Sequence, residues 1–113
     1  MEKIVEQGIL YDFYGELLTD HQKHVYEEVV FNDLSLGEIA KEQGISRQGV
    51  HDLIKRCDKI LTDYEEKLQL VHKFHQTKRM VEEIRQLTKD YQETLDMSLI
   101  HRIEQIASDI SDL

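Results

Sequence analysis

Between Ser46 and Lys59 the chain sets Arg47, Gln48, His51, Asp52, Lys55, Arg56 and Lys59 among the apolar Val50, Leu53, Ile54 and Cys57. At about 3.6 residues per turn, the polar set takes one side of a helix and the apolar set the other. The chemistry open to that polar side is recognition rather than bond-making. In a DNA major groove the first two turns of such a helix meet base edges, where arginine pairs with guanine O6 and N7 and glutamine with adenine N6 and N7. Arg47 and Gln48 are therefore candidates for bases, and Lys55, Arg56 and Lys59 for phosphates, with Lys23 or Lys41 in support. Asp52 can accept from a cytosine amino group or position Arg47 or Arg56. Gly49 permits close approach and reads nothing. The bland alternative is a solvated charged face, since charge pairs four residues apart decorate many helices.

Other reactive residue types suggest less. His21/His24 and His72/His75 are spaced three apart, but zinc takes three or four ligands and no cysteine or acid is grouped with them. No metal or cofactor is expected. Cys57 lies in an apolar seam, as a buried, inert thiol would. Neither a glycine-rich phosphate loop nor a Ser/His/Asp or Cys/His set is visible, and the carboxylates recur at helical spacing as solvent faces do. Catalysis is not expected.

What must position the Arg47–Lys59 face is a pair of capped helices. Ser35 with Glu38 makes a capping box before Leu36, Ile39 and Ala40. Gly44 supplies the left-handed residue that ends this short helix, Ile45 plugs the turn into the core, and Ser46 caps the next helix. Two capped helices joined by a short glycine-started turn form a helix-turn-helix. Ahead of it, a helix over about Lys3 to Leu18 carries Ile4, Val5, Ile9, Leu10, Phe13, Tyr14, Leu17 and Leu18, with Gly8 and Gly15 as possible bends. Thr19 with Gln22 is a further capping box, opening a helix that carries Val25, Tyr26, Val29, Val30 and Phe31 and ends at Asn32-Asp33.

The helix begun at Ser46 has no obvious stop. The chain contains no proline, and its five glycines all precede residue 50. Ile54, Cys57, Leu61, Tyr64, Leu68 and Val71 alternate spacings of three and four, a seam that predicts one helix running to Phe74, with His75–Lys78 a weaker candidate for a break. Met80, Val81, Ile84, Leu87 and Tyr91 form the next stripe. A turn over Gln92–Asp96 and a cap at Asp96 introduce Met97, Ile100, Ile103, Ile106, Ala107, Ile110 and Leu113. The expected architecture is all-α, one domain over 1–113, with a helix-turn-helix bundle over 1–63 and a C-terminal helical hairpin in the extension over 64–113 that folds on the overhanging helix, on itself or on a second copy. The dimer is favoured, since three one-sided helices hold more apolar face than one thin layer buries.

A chain of 113 residues suffices for one core. No run of about 18 apolar residues spans a membrane, charges from Glu2 onward argue against a signal peptide, and a single cysteine suits a reducing cytoplasm. The net charge of −9 opposes strong non-specific DNA binding by a monomer. Its distribution permits local contact: residues 47–59 hold four bases and two acids, and residues 72–79 hold three bases, two histidines and no acid.

The runs Tyr11-Asp12-Phe13-Tyr14-Gly15-Glu16-Leu17-Leu18-Thr19, Ser35-Leu36-Gly37-Glu38-Ile39-Ala40 and Ser46-Arg47-Gln48-Gly49-Val50-His51-Asp52-Leu53-Ile54-Lys55-Arg56 resemble the YlxM-type proteins. These are small, acidic, all-helical bacterial proteins whose helix-turn-helix is similar to region four of primary sigma factors. The resemblance covers about residues 9 to 75. It implies a regulator encoded beside the signal recognition particle GTPase genes and acting in that targeting pathway. Ser46 and Arg47 sit where the sigma module has Thr-Arg, and Val50 matches its buried aliphatic. Gln48, Gly49 and His51 occupy positions that are often charged readers there. The leading expectation is a cytoplasmic, non-enzymatic, DNA-binding homodimer using Ser46, Arg47, Gln48, His51, Asp52, Lys55, Arg56 and Lys59. The rival is an adaptor contacting the particle's protein or RNA.

Overall fold

The computed structural model describes residues 2–113, and among these the fold is all-α. In chain order come α1 (Lys3–Tyr14), a 3-10 turn (Gly15–Leu17), α2 (Asp20–Val30), α3 (Leu36–Gln43), α4 (Arg47–Leu68), α5 (Leu70–Thr94) and α6 (Met97–Ser111). The chain divides into two compact units, the first ending at Val71 and the second spanning His72–Leu113.

In the first unit α1, α2 and α3 pack around the N-terminal two-thirds of α4. Val50, Ile54, Cys57 and Leu61 lie on one side of α4 and are buried with Tyr14, Leu18, Val25, Tyr26, Val30, Ile39 and Ala40. Helices α2, α3, α4 and α6 each begin at a side chain that accepts from a first-turn amide. Thr19 forms the complete capping box with Gln22, its hydroxyl accepting from the Gln22 N–H while the Gln22 amide oxygen accepts from the Thr19 N–H. At Ser35 the hydroxyl accepts from the Glu38 N–H and donates to the Glu38 carboxylate. Helix α1 is shorter than the stripe predicted, because the chain tightens into the 3-10 turn at Gly15, where a Cβ would lie 2.8 Å from the Tyr11 ring. Leu17 is consequently 54% exposed while Leu18 is buried.

Polar side chains tie the layers together. Asp58 of α4 accepts from the Tyr26 hydroxyl of α2 at 2.5 Å and from the Gln7 amide of α1 at 3.0 Å. Tyr11 stacks on Tyr26, meets Phe31 edge-on and donates to Glu27. His21 and His24, rather than facing solvent alone, reach α3 at Gln43 and Glu42, each at 3.1 Å.

The long helix predicted to run to Phe74 breaks earlier. Gln69 takes the left-handed conformation with φ of 58°, and α5 passes without interruption through His75–Lys78. The first two amides of α5, which have no partner inside a helix, are met from elsewhere: the Leu70 N–H donates to the Tyr14 hydroxyl at 3.2 Å and the Val71 N–H to the Glu65 carboxylate at 3.0 Å. Tyr14 in turn donates to Glu65 at 2.5 Å. This three-part network ties Glu65, Leu70 and Val71 to α1 within the first unit, which extends through Val71. It also resolves the predicted seam: Tyr64 and Val71 pack on the same core as Ile54, Cys57 and Leu61, leaving only Leu68 of that series outside it.

In the second unit α5 and α6 are joined by Leu95, left-handed with φ of 56°, and by Asp96, whose carboxylate caps α6 through the Ser98 N–H at 2.9 Å. Arg102 of α6 pairs with Glu83 of α5 at 3.2 Å. Ile106 is buried.

Candidate nucleic-acid interface

The turn between α3 and α4 is built as the spacing demands. Gly44 adopts φ of 68°, its N–H and that of Ile45 both return to the Ala40 carbonyl, and Ser46 Oγ accepts from the Gly49 N–H at 2.9 Å. This left-handed termination halts α3 and releases α4 in a new direction. Ile45 departs from expectation: it is 41% exposed and leans on the first turn of α4 instead of entering the core. The contact explains Gly49 as well. A Cβ there would come within 3.2 Å of Ser46 Oγ and 3.8 Å of Ile45, so the residue keeps the cap closed.

All eight candidate residues, Ser46, Arg47, Gln48, His51, Asp52, Lys55, Arg56 and Lys59, are exposed, while Val50 and Cys57 are fully covered. Helical geometry arranges Gln48, Asp52, Lys55 and Lys59 as one ridge, with Arg47 and His51 on one flank and Arg56 on the other. Within the ridge the Gln48 amide donates to Asp52 at 2.8 Å and approaches His51 Nδ1 at 3.5 Å. Asp52 therefore orients Gln48, not Arg47 or Arg56. Lys59 pairs with Asp63 at 3.2 Å. Among the described residues no ion pair engages Arg47, Lys55 or Arg56.

Two placements escaped the sequence reading. Asp58, counted there among the acids of this stretch, turns inward to Tyr26 and Gln7, so Asp52 is the one acid left in residues 47–59 on the outer side. Arg47 lies across Gly37: a Cβ on Gly37 would sit 3.7 Å from Arg47 Nε and 3.8 Å from its Cδ. The first turn of α3 thus forms a floor for the arginine. The available hint was a glycine in a helical first turn with no conformational reason to be there. Cys57, on the opposite side of α4, is shut in, and burial pushes its thiol up to about 11, with Asp58 adding to the rise.

The family described as "Putative helix-turn-helix protein, YlxM / p13 like" matches residues 1–103. A UPF0122 protein of Acetivibrio thermocellus is 41% identical over 114 residues, covering 97% of each chain. UPF0122 proteins of Bacillus velezensis and Bacillus licheniformis are 42% and 43% identical, each covering 94% of this chain and 97% of the relative.

Proposed function

We propose, from the premise that the chain belongs to this YlxM/p13-like helix-turn-helix family, that it is a cytoplasmic, non-enzymatic regulator that contacts DNA through the exposed side of α4. The observation that carries the reading is the division of α4: Arg47, Lys55 and Arg56 stand outward with no ion pair, while Val50, Ile54 and Cys57 anchor the helix behind them. Arg47 and Gln48 meet base edges, and Lys55, Arg56 and Lys59 hold phosphates. The position of Arg47 over the first turn of α3 suits a phosphate oxygen too, because the first amides of a helix lack internal partners and favour an anion. The Gln48–Asp52 bond presents the glutamine in a fixed orientation, at the cost of a negative charge close to the backbone. A regulatory role in the signal recognition particle pathway, as a homodimer, completes the proposal. The net charge of −9 favours a second reading, an adaptor whose α4 side meets a protein or RNA component of the particle instead of DNA.

The test is the salt dependence of binding to duplex DNA and to particle RNA, for the wild type and for Arg47→Ala/Lys55→Ala. Groove binding gives a steep negative slope of log affinity against log salt, and each lost phosphate contact flattens it by about one unit. Unchanged DNA affinity and slope in the double variant remove α4 as the contact surface. A steep slope toward RNA alone selects the adaptor.

A further inference from the structure

Outside α4, the exposed face of α5 carries a second pattern. Phe74, Lys78, Val81, Arg85 and Lys89 recur at spacings of four, three, four and four, which places them along a single stripe about 22 Å long at about 1.5 Å per residue. All five are exposed, Phe74 and Val81 each at 44%. The Lys78 ammonium sits 5.0 Å above the Phe74 ring centre, which fixes one charge against an aromatic surface. The stripe contains no acid, in a chain of net charge −9. Glu83 and Asp90 lie on the other side of α5, where they bond Arg102 and Gln86, and no ion pair among the described residues neutralises Lys78, Arg85 or Lys89.

The geometry points to this stripe as the docking surface for an acidic amphipathic helix of a partner protein. Cations at 78, 85 and 89 alternate with apolar Phe74 and Val81, seven residues apart. That is the arrangement in which a partner helix sets apolar anchors one heptad apart between rows of Asp and Glu. Charge complementarity selects the sign of the partner, and the width of the stripe selects its shape. Glu82 and Glu93 stand along one edge. A helix about 10 Å across can rest on the cations away from that edge, whereas a nucleic-acid duplex about twice as wide brings phosphates against those carboxylates, and its backbone has no use for an exposed valine.

The probe is a labelled synthetic helix with leucine at heptad positions a and d and glutamate at e and g, titrated against the full chain, the Arg85→Glu/Lys89→Glu variant and Val81→Ser. The expected result is saturable binding, weakened roughly tenfold or more by the double reversal and measurably by Val81→Ser, with thermal unfolding unchanged because all three side chains are exposed. Arg47→Ala/Lys55→Ala leaves peptide binding intact, which separates this surface from the one on α4. Peptide affinity indifferent to the double reversal overturns the inference. So does tighter, Arg85-dependent binding of single-stranded oligoadenylate RNA, or self-association that the same reversal abolishes.

Discussion

Removing one oxygen from the protein tests how the first unit is closed. Tyr14 is 2% exposed, and its hydroxyl both donates to Glu65 at 2.5 Å and accepts from the Leu70 N–H at 3.2 Å. Tyr14→Phe leaves the ring packing intact, so the cost is that of the two hydrogen bonds. A bond to a carboxylate contributes about 1.5 to 3 kcal/mol, and an amide stranded at a helix start costs about 1 kcal/mol or more. Val71 still holds Glu65 and solvent relaxes part of the loss, giving a net destabilisation of about 2 kcal/mol. At this chain length that corresponds to a melting point lower by roughly 8 °C. Urea unfolding followed by circular dichroism measures it, with the slope against denaturant unchanged. Combining Tyr14→Phe with Glu65→Gln gives a coupling energy of about 1 kcal/mol if the two act as one network.

The same phenol reports in the alkaline limb. Burial, then the hydrogen bond to Glu65, raises the Tyr14 pKa above its ordinary 10.0, and Tyr11 and Tyr26 are raised as well, by burial and by their bonds to Glu27 and Asp58. For a group raised on folding, stability is fully present below the unfolded value and declines as pH climbs above it. Tyr14→Phe should remove its share of that decline above pH 10.0. A substitution costing under about 0.5 kcal/mol, or a coupling near zero, would refute the network as the cause of the helix break at Gln69.

Cys57, buried and raised to about 11, should resist a thiol reagent at pH 8 in the folded chain and react at once in denaturant; rapid labelling of native protein contradicts the packing of α4. The hydrogen bond to Glu42 raises the pKa of His24 on folding. Its contribution to stability is accordingly present at acidic pH and lost as pH rises through the folded value, so His24→Gln should narrow the stability difference between pH 5.5 and 8; an unchanged difference removes the α2–α3 contact from the account. For the proposed homodimer, Leu95, Met97 and Ile100 expose large apolar area in the second unit, and a mass by light scattering equal to one chain at all concentrations eliminates that assembly.

Legibility from sequence followed the range of the interaction. Thr19, Gly44, Ser46 and Asp96 act on amides or conformations within a few residues of themselves, and each performs its expected role. Ser35 caps α3, but Glu38 accepts from its hydroxyl and not from its N–H, so the expected box is half formed. The covered side of α4 was likewise readable, because helical periodicity alone pairs Val50, Ile54, Cys57 and Leu61. The break at Gln69 carried no comparable mark. Glutamine is a good helix former, and the bend is held by its side chain on the Glu65 and Glu66 carbonyls together with a tyrosine 56 positions before Leu70. Asp58 escaped for the same reason: its partners Gln7 and Tyr26 lie on other helices, so spacing counted it with the outer charges. The Arg47 contact with Gly37 is again between helices. What local periodicity cannot see is which polar residue faces a distant donor.

That distinction bears on the conflict between a net charge of −9 and contact with a polyanion. Several acids serve as acceptors for the fold's own groups: Asp58 beneath α4, Glu65 at the start of α5 and, at the surface, Glu27 on Tyr11. They remain charged, but their placement follows the needs of tyrosines and helix ends and not the character of the exposed α4 face. At physiological salt the screening length is only about 8 Å, so a phosphate touching Arg47, Lys55 or Arg56 responds first to its immediate neighbours and only weakly to carboxylates on the far side of the bundle. Asp52 is the acid that remains inside that range along the ridge, and it is already bonded to Gln48. Under the proposed DNA reading, the total charge therefore sets how poorly the chain would associate with arbitrary DNA, while the α4 ridge would set whether a chosen site can hold it. Selectivity is the more natural product of such an arrangement than strength.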